Sequence, residues 1–99
     1  MLAHVVRIIA EASAEIRAEE TYYRKRSVVA ADAFLAELDR AFGLILAAPE
    51  RWPVVWKGAR KFRLRRYPHS VVYRIEGSIV RVIAVAHGRR RPEYWKYRQ

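Results

Sequence analysis

From Val28 onward, apolar side chains recur at alternating steps of three and four: Val28, Ala31, Leu35, Leu38, Phe42 and Ile45, with Phe34 and Ala41 widening the stripe. Only an α-helix gathers residues of that period on one side, so the segment predicts an amphipathic helix with an apolar face to bury. Asp32, Glu37, Asp39 and Arg40 fall mostly off the stripe. Ala48-Pro49 ends the helix, because the residue before a proline avoids the helical basin.

A shorter helix precedes it. Ser13 suits an N-cap region, Glu11 and Glu15 suit the positive end of the helix dipole, and Arg24, Lys25 and Arg26 suit its negative end. Its stripe of Ala12, Ile16, Glu19 and Tyr23 is only partly apolar. Joined through Arg26-Ser27 with almost no loop, the two helices predict an antiparallel hairpin. The β-branched run Val5, Val6, Ile8, Ile9 predicts a first strand. Residues 49–59 read as a connecting loop, followed by three strands. Arg60 to Arg66 alternates Phe62 and Leu64 against Lys61, Arg63 and Arg65. Ser70 to Glu76 follows the Tyr67-Pro68-His69 turn, and Glu76-Gly77-Ser78 suits a tight hairpin. Ile79 to Ala86 is apolar on both faces except Arg81, as a central strand should be. Pro92 suits the start of one closing helical turn. The expected fold is α+β, β-α-α-β-β-β with a short final helix, one domain over residues 1–99. The helical hairpin covers one face of a small, mainly antiparallel sheet and leaves the other partly open.

Charge then narrows the function. The 99 residues carry a net charge of +10, divided very unevenly. Residues 1–50 hold six Lys/Arg and eight Asp/Glu, whereas residues 51–99 hold fourteen Lys/Arg and two acids, Glu76 and Glu93. A one-sided basic surface suits a polyanion: nucleic acid, an acidic protein segment or an acidic membrane. No apolar stretch approaches the ~20 residues of a membrane span, and no signal peptide is evident, so the expectation is a soluble cytoplasmic protein without membrane partners.

No cofactor or metal is expected. Cysteine is absent, no Gly-rich phosphate loop occurs, and His4, His69 and His87 lack ligand spacing. Paired-carboxylate catalysis in the basic half is nearly excluded. Lys61, Arg63 and Arg65, with Arg66, Arg74 and Arg81, suit a polyanion-binding ribbon, although charges on an edge strand also serve to block pairing with another chain. Arg89, Arg90 and Arg91 followed by Tyr94, Trp95 and Tyr97 interleave guanidinium groups with rings able to stack; the alternative is that the tail, Trp95 above all, covers the sheet edge. His87, beside a glycine at a strand end, suits either a backbone-bonded role or a general acid or base. Tyr22, Trp52 and Trp56 either cover the end of the core or anchor a partner.

The chain resembles the RelE/ParE superfamily of type II toxins, nearest the ParE, or plasmid stabilisation, branch. The resemblance rests on Tyr22-Tyr23 with Arg26-Ser27, Phe34-Leu35 with Glu37, and Pro49 to Pro53. The stronger carriers are residues 67–74 (Tyr-Pro-His-Ser-Val-Val-Tyr-Arg) and 85–95 (Val-Ala-His-Gly-Arg-Arg-Arg-Pro-Glu-Tyr-Trp). It implies a toxin neutralised by direct binding of a cognate acidic antitoxin, a ribbon-helix-helix dimer of ParD type, within a toxin–antitoxin complex. Tyr22, Tyr23, Arg26, Trp52, Trp56, Lys61, Arg63, Arg65, Arg66, Arg89, Arg90, Arg91, Tyr94 and Trp95 are the candidate residues for antitoxin or target. The ParE branch implies a non-enzymatic inhibitor of DNA gyrase. The RelE branch implies instead a ribosome-dependent, metal-independent mRNA endonuclease, for which Arg66, Arg74, His87, Arg89 and Tyr94 are the candidates. Ser70 stands where that branch usually carries an arginine, which favours the gyrase reading.

Overall fold

The computed structural model describes residues 4–98. Along the chain lie β1 (Val5–Ile8), α1 (Ala10–Arg24), α2 (Val28–Ala47), β2 (Val54–Trp56), β3 (Ala59–Arg63), β4 (His69–Glu76) and β5 (Ile79–His87). The strands form one sheet in the order β1-β5-β4-β3-β2, with β1 parallel to β5 and every other pair antiparallel. This is the expected α+β arrangement of a helical hairpin on a mainly antiparallel sheet, with one more strand than the sequence predicts.

The helices follow from local chemistry. Ser27 caps α2, its hydroxyl oxygen accepting the Ala30 N–H at 2.9 Å, a contact that satisfies one of the orphan donors of a first turn. The buried line of α2 is Ala31, Phe34, Leu38, Ala41 and Ile45. The stripe is therefore centred on Phe34 and Ala41, while Leu35 and Phe42 sit half-buried at its margin and Val28 is exposed. α1 begins three residues before the expected Ser13 cap. The Ile9 N–H donates to the Val82 carbonyl at 3.1 Å, so the chain passes from sheet to helix without a linker. Ile9 takes the N-cap position with no side chain to cap it.

Beyond the early start of α1 and one-residue extensions of β4 to His69 and β5 to His87, three stretches differ from the sequence reading. The expected loop over residues 49–59 contains β2, paired with β3 through Val54 and Trp56. Only three residues long, with Pro53 before it and both valines exposed, β2 shows no inward-outward alternation to read. Lys57 and Gly58 both take positive φ, 33° and 82°, to close the tight turn into β3. β3 stops at Arg63 rather than Arg66. The Leu64 N–H donates to the His69 carbonyl and Arg66 adopts φ 64°, so Arg65 and Arg66 lie in the turn. The tail closes in successive turns, with N–H to carbonyl bonds from Tyr94 to Arg91, Lys96 to Glu93 and Arg98 to Trp95, and does not form the expected short helix.

Two cores result. Phe34, Leu38, Ile45, Phe62, Val71, Tyr73, Val80, Val82 and Val85 are among the side chains filling the space between helices and sheet. Ala59, Val72, Ile83, Ala84, Ala86 and Trp95 form a second buried cluster, flanked by Trp56 and Tyr94. A bulge makes both possible. Val72 pairs with Ala84 but Tyr73 pairs with Val82, leaving Ile83 unopposed. The extra residue shifts the alternation by one, so Val80 and Val82 before it and Val85 after it all face the helices. The second face is thus not simply open, because the tail lays Trp95, 4% exposed, across its middle.

Candidate functional site

α1 holds the tail in place through one carboxylate. β1 ends at Ile8, which leaves the far half of β5 without a strand neighbour on that side. Glu15 occupies the gap: Oε1 accepts the Val85 N–H at 3.0 Å and an Arg98 guanidinium N–H at 2.9 Å, while Oε2 accepts the Tyr94 hydroxyl. Arg98 also donates to the carbonyl of the bulge residue Ile83 at 3.1 Å. Burial, then the hydrogen bond to the Glu15 carboxylate, pushes the Tyr94 phenol far above its ordinary range. Tyr94 is thereby fixed as a donor. Arg90 lies over the Tyr94 ring, 3.8 Å from its centroid.

The candidate residues fall into three places. The first is the second face at the free ends of β3, β4 and β5. Lys61 is paired with Val72 and Arg63 with Ser70, and both side chains are exposed. Lys61, Ser70, Arg90, Arg91, Tyr94 and Trp95 line a recess of about 120 Å³ there. Among the described residues, no carboxylate lies within 4 Å of the charged atoms of Lys61, Arg63 or Arg91. Three uncompensated or weakly compensated cations, Lys61, Arg90 and Arg91, thus border a buried indole, with Arg63 exposed on the same strand face as Lys61. Farther along the same face, Arg81 is bound to Glu76 at 2.8 Å, and the Arg74 guanidinium donates to the Lys57 carbonyl. These two are committed to the fold.

The second place lies toward α2. Arg65 and Arg66, expected in line with Lys61 and Arg63, instead join Glu37, Arg40 and Tyr67. Glu37 takes a two-pronged bond from Arg40 (2.7 and 2.8 Å) and accepts the Arg65 N–H at 2.6 Å. The Arg40 bond, with the Arg65 N–H adding to it against burial, holds the Glu37 carboxyl below its usual value.

The third place is a cleft of about 590 Å³ at the tip of the helical hairpin, where Tyr22, Tyr23, Arg26, His87 and Arg89 meet. Beneath it His69 and His87 face each other across the β4–β5 ladder, their rings 4.9 Å apart. Trp52 and Trp56 belong to none of the three. Trp52 packs on Phe62 at 4.8 Å, and Trp56 lies under the ammonium groups of Lys57 and Lys96 at 5.1 and 5.0 Å.

Sequence reasoning missed Glu15, Glu19 and His69. The signal for Glu19 was its place in the half-apolar stripe of α1, since a carboxylate at a core-facing position needs a buried partner. Glu19 finds one in His69, whose Nε2 is 3.3 Å from Glu19 Oε2, close enough for an ion pair but not aligned for a hydrogen bond. Burial pushes the His69 imidazole below its ordinary value, with Glu19 opposing and His87 assisting. A base whose folded-state pKa is depressed binds its proton more readily in the unfolded chain. Stability is therefore complete above the ordinary histidine value of 6.5 and is lost as pH falls below it. Thermal melts between pH 8 and pH 5 are expected to show Tm steady to about pH 7 and then falling, and His69→Asn should flatten the fall. A wild-type Tm that rises on acidification contradicts this assignment.

Residues 6–92 match the family described as the ParE toxin of the type II toxin-antitoxin system, parDE. Among solved structures, the chain is similar to one described as the chromosomal ParDE TA system from P. aeruginosa. The TM-score is 0.73 at 15% identity, covering 88% of this chain and 98% of that one. At that identity the likeness concerns the fold. No curated protein matches. With the family match spanning nearly all of the sheet and both helices, the chain belongs to the ParE toxin family of type II toxin-antitoxin systems.

Proposed function

We propose that the protein inhibits DNA gyrase and is silenced when a cognate acidic antitoxin binds it directly. One observation carries the antitoxin half of the reading. Lys61, Arg90 and Arg91 stand exposed beside Trp95, with Arg63 exposed on the same strand face as Lys61, and almost no acid of the chain's own balances them. An acidic segment that folds onto this face gains charge complementarity and aromatic anchors together, offset in part by its ordering. The description of the fold neighbour, a ParDE system, supports a complex of this kind. The acidic segment belongs to a ribbon-helix-helix dimer of ParD type, and toxin and antitoxin meet in the cytoplasm. None of the helices described is long and apolar enough to cross a membrane.

The gyrase half rests on family membership and on the state of the alternative's residues. Of the five groups an endonuclease of RelE type would draw on here, Tyr94 is bound to Glu15 and Arg74 to a carbonyl. Arg66 sits near α2, away from His87 and Arg89. Such a dispersed set does not converge on one phosphodiester, and this favours the gyrase reading. The purified protein is expected to stop gyrase supercoiling and to leave mRNA intact in a translating extract, with antitoxin restoring supercoiling. Cleaved mRNA alongside unaffected supercoiling overturns the proposal.

A further inference from the structure

The hairpin-tip cleft adjoins the cationic recess, since His87 lines both, and takes from the tail only Arg89. Its chemistry is distinct. Arg26 is pre-organised: its guanidinium lies 4.6 Å from the Tyr22 ring centroid and donates to the Tyr22 hydroxyl. Across the cleft, the Arg89 N–H donates to His87 Nδ1 at 3.0 Å. That bond makes Nδ1 the acceptor, so the neutral His87 ring carries its proton on Nε2 as a donor. Tyr22 and Tyr23 bring hydroxyls to the same walls. Among the described residues, neither Arg26 nor Arg89 has a carboxylate within 4 Å.

Glu19, the one acid lining the cleft, lies against the buried His69, 3.3 Å from its Nε2. His69 is 1% exposed, and neither of its ring nitrogens has an aligned hydrogen-bond partner. A buried polar side chain left in that condition is destabilising. Two forked guanidinium groups, one imidazole donor and two hydroxyls around a volume of about 590 Å³ suit an oxyanion, and donors on several walls suit the several oxygens of a tetrahedral one.

We propose that this cleft is a phosphate-binding site, taking the phosphate group of a nucleotide or of a nucleic-acid strand, with Arg26 and Arg89 as its clamps and His87 as a further donor. It does not depend on the antitoxin or gyrase readings, because it uses none of Lys61, Arg63, Arg90 or Arg91.

The test is an NMR titration of the full chain, following the ring signals of His69 and His87 and the indole of Trp95. The probes are inorganic pyrophosphate, a 5′-phosphorylated dinucleotide and the same dinucleotide without its terminal phosphate. Saturable shifts are expected at both histidines and none at Trp95. Arg26→Gln and Arg89→Gln, both at exposed positions, are each expected to weaken binding by about tenfold. Arg7→Gln, on the exposed side of β1, should leave it unchanged. Preference for the phosphorylated dinucleotide supports a terminal phosphate as the natural source, and equal binding of both supports the backbone diester. Three outcomes overturn the proposal: no saturable shift with any probe, equal weakening by Arg7→Gln, or a glutamate peptide moving the same signals as tightly as pyrophosphate.

Discussion

A variant carrying glutamine at Lys61, Arg63, Arg90 and Arg91 is expected to bind the cognate antitoxin about a thousandfold more weakly than the wild type while keeping its fold. All four side chains are exposed, and the sole carboxylate contact among them is a 3.9 Å approach of Arg90 to Glu15. Removing them therefore takes little from the folded state. Against a complementary acidic segment, each cation contributes about 1 kcal/mol once partly desolvated, and about 4 kcal/mol in all corresponds to roughly three decades in Kd. The association rate of the wild type should fall steeply as salt rises, and that of the variant should respond little. A control with Arg7 and Arg17 changed to glutamine, two exposed cations outside the face, should shift Kd by less than about threefold. If the control weakens binding as much as the quadruple change, net charge alone governs the interaction and the face has no special part in it.

The second large effect concerns stability. Trp95→Ala is expected to remove about 3–5 kcal/mol, a substantial share of what a domain this size has. Trp95 is 4% exposed and belongs to the cluster with Val72, Ile83 and Ala84. Its loss also loosens the segment that brings Tyr94 and Arg98 to Glu15. Thermal unfolding should drop by at least about 12 °C. A drop below about 4 °C would mean that the tail rests on the sheet without being part of its core. Because the same tail carries Arg90 and Arg91, the variant should lose antitoxin affinity too, which links the packing of the second face to its function.

Most of the architecture is legible in the chain because it rests on strong periodic signals. The stripe of α2 and the alternation of Phe62 and Leu64 against Lys61 and Arg63 each admit one local structure. β2 was not legible, since three residues after a proline, with two exposed valines, carry no period. Ile83 was hidden for a related reason: in a strand apolar on both faces, a one-residue slip leaves no mark on the pattern. The candidate site was legible in composition but not in grouping. The basic residues between Lys61 and Arg66 read as one ribbon. The left-handed turn at Arg66 and the Leu64–His69 bond instead send Arg65 and Arg66 to the α2 side. Glu19 was visible only as an interruption of an apolar stripe, and Glu15 only as a charge suited to the positive end of the helix dipole. Their partners lie 50 to 83 residues away in sequence, at His69, Val85, Tyr94 and Arg98, and no local rule connects them.

The helical side offers the competing surface for a partner, with Val28 60% and Val29 78% exposed at the start of α2. Backbone hydrogen exchange of the protein, alone and bound to its cognate antitoxin, decides between the two. Slowed exchange concentrated in the tail from Gly88 to Arg98 is the result expected if the cationic face receives the antitoxin. Slowed exchange confined to α2, with the tail exchanging as fast as in the free protein, would contradict it.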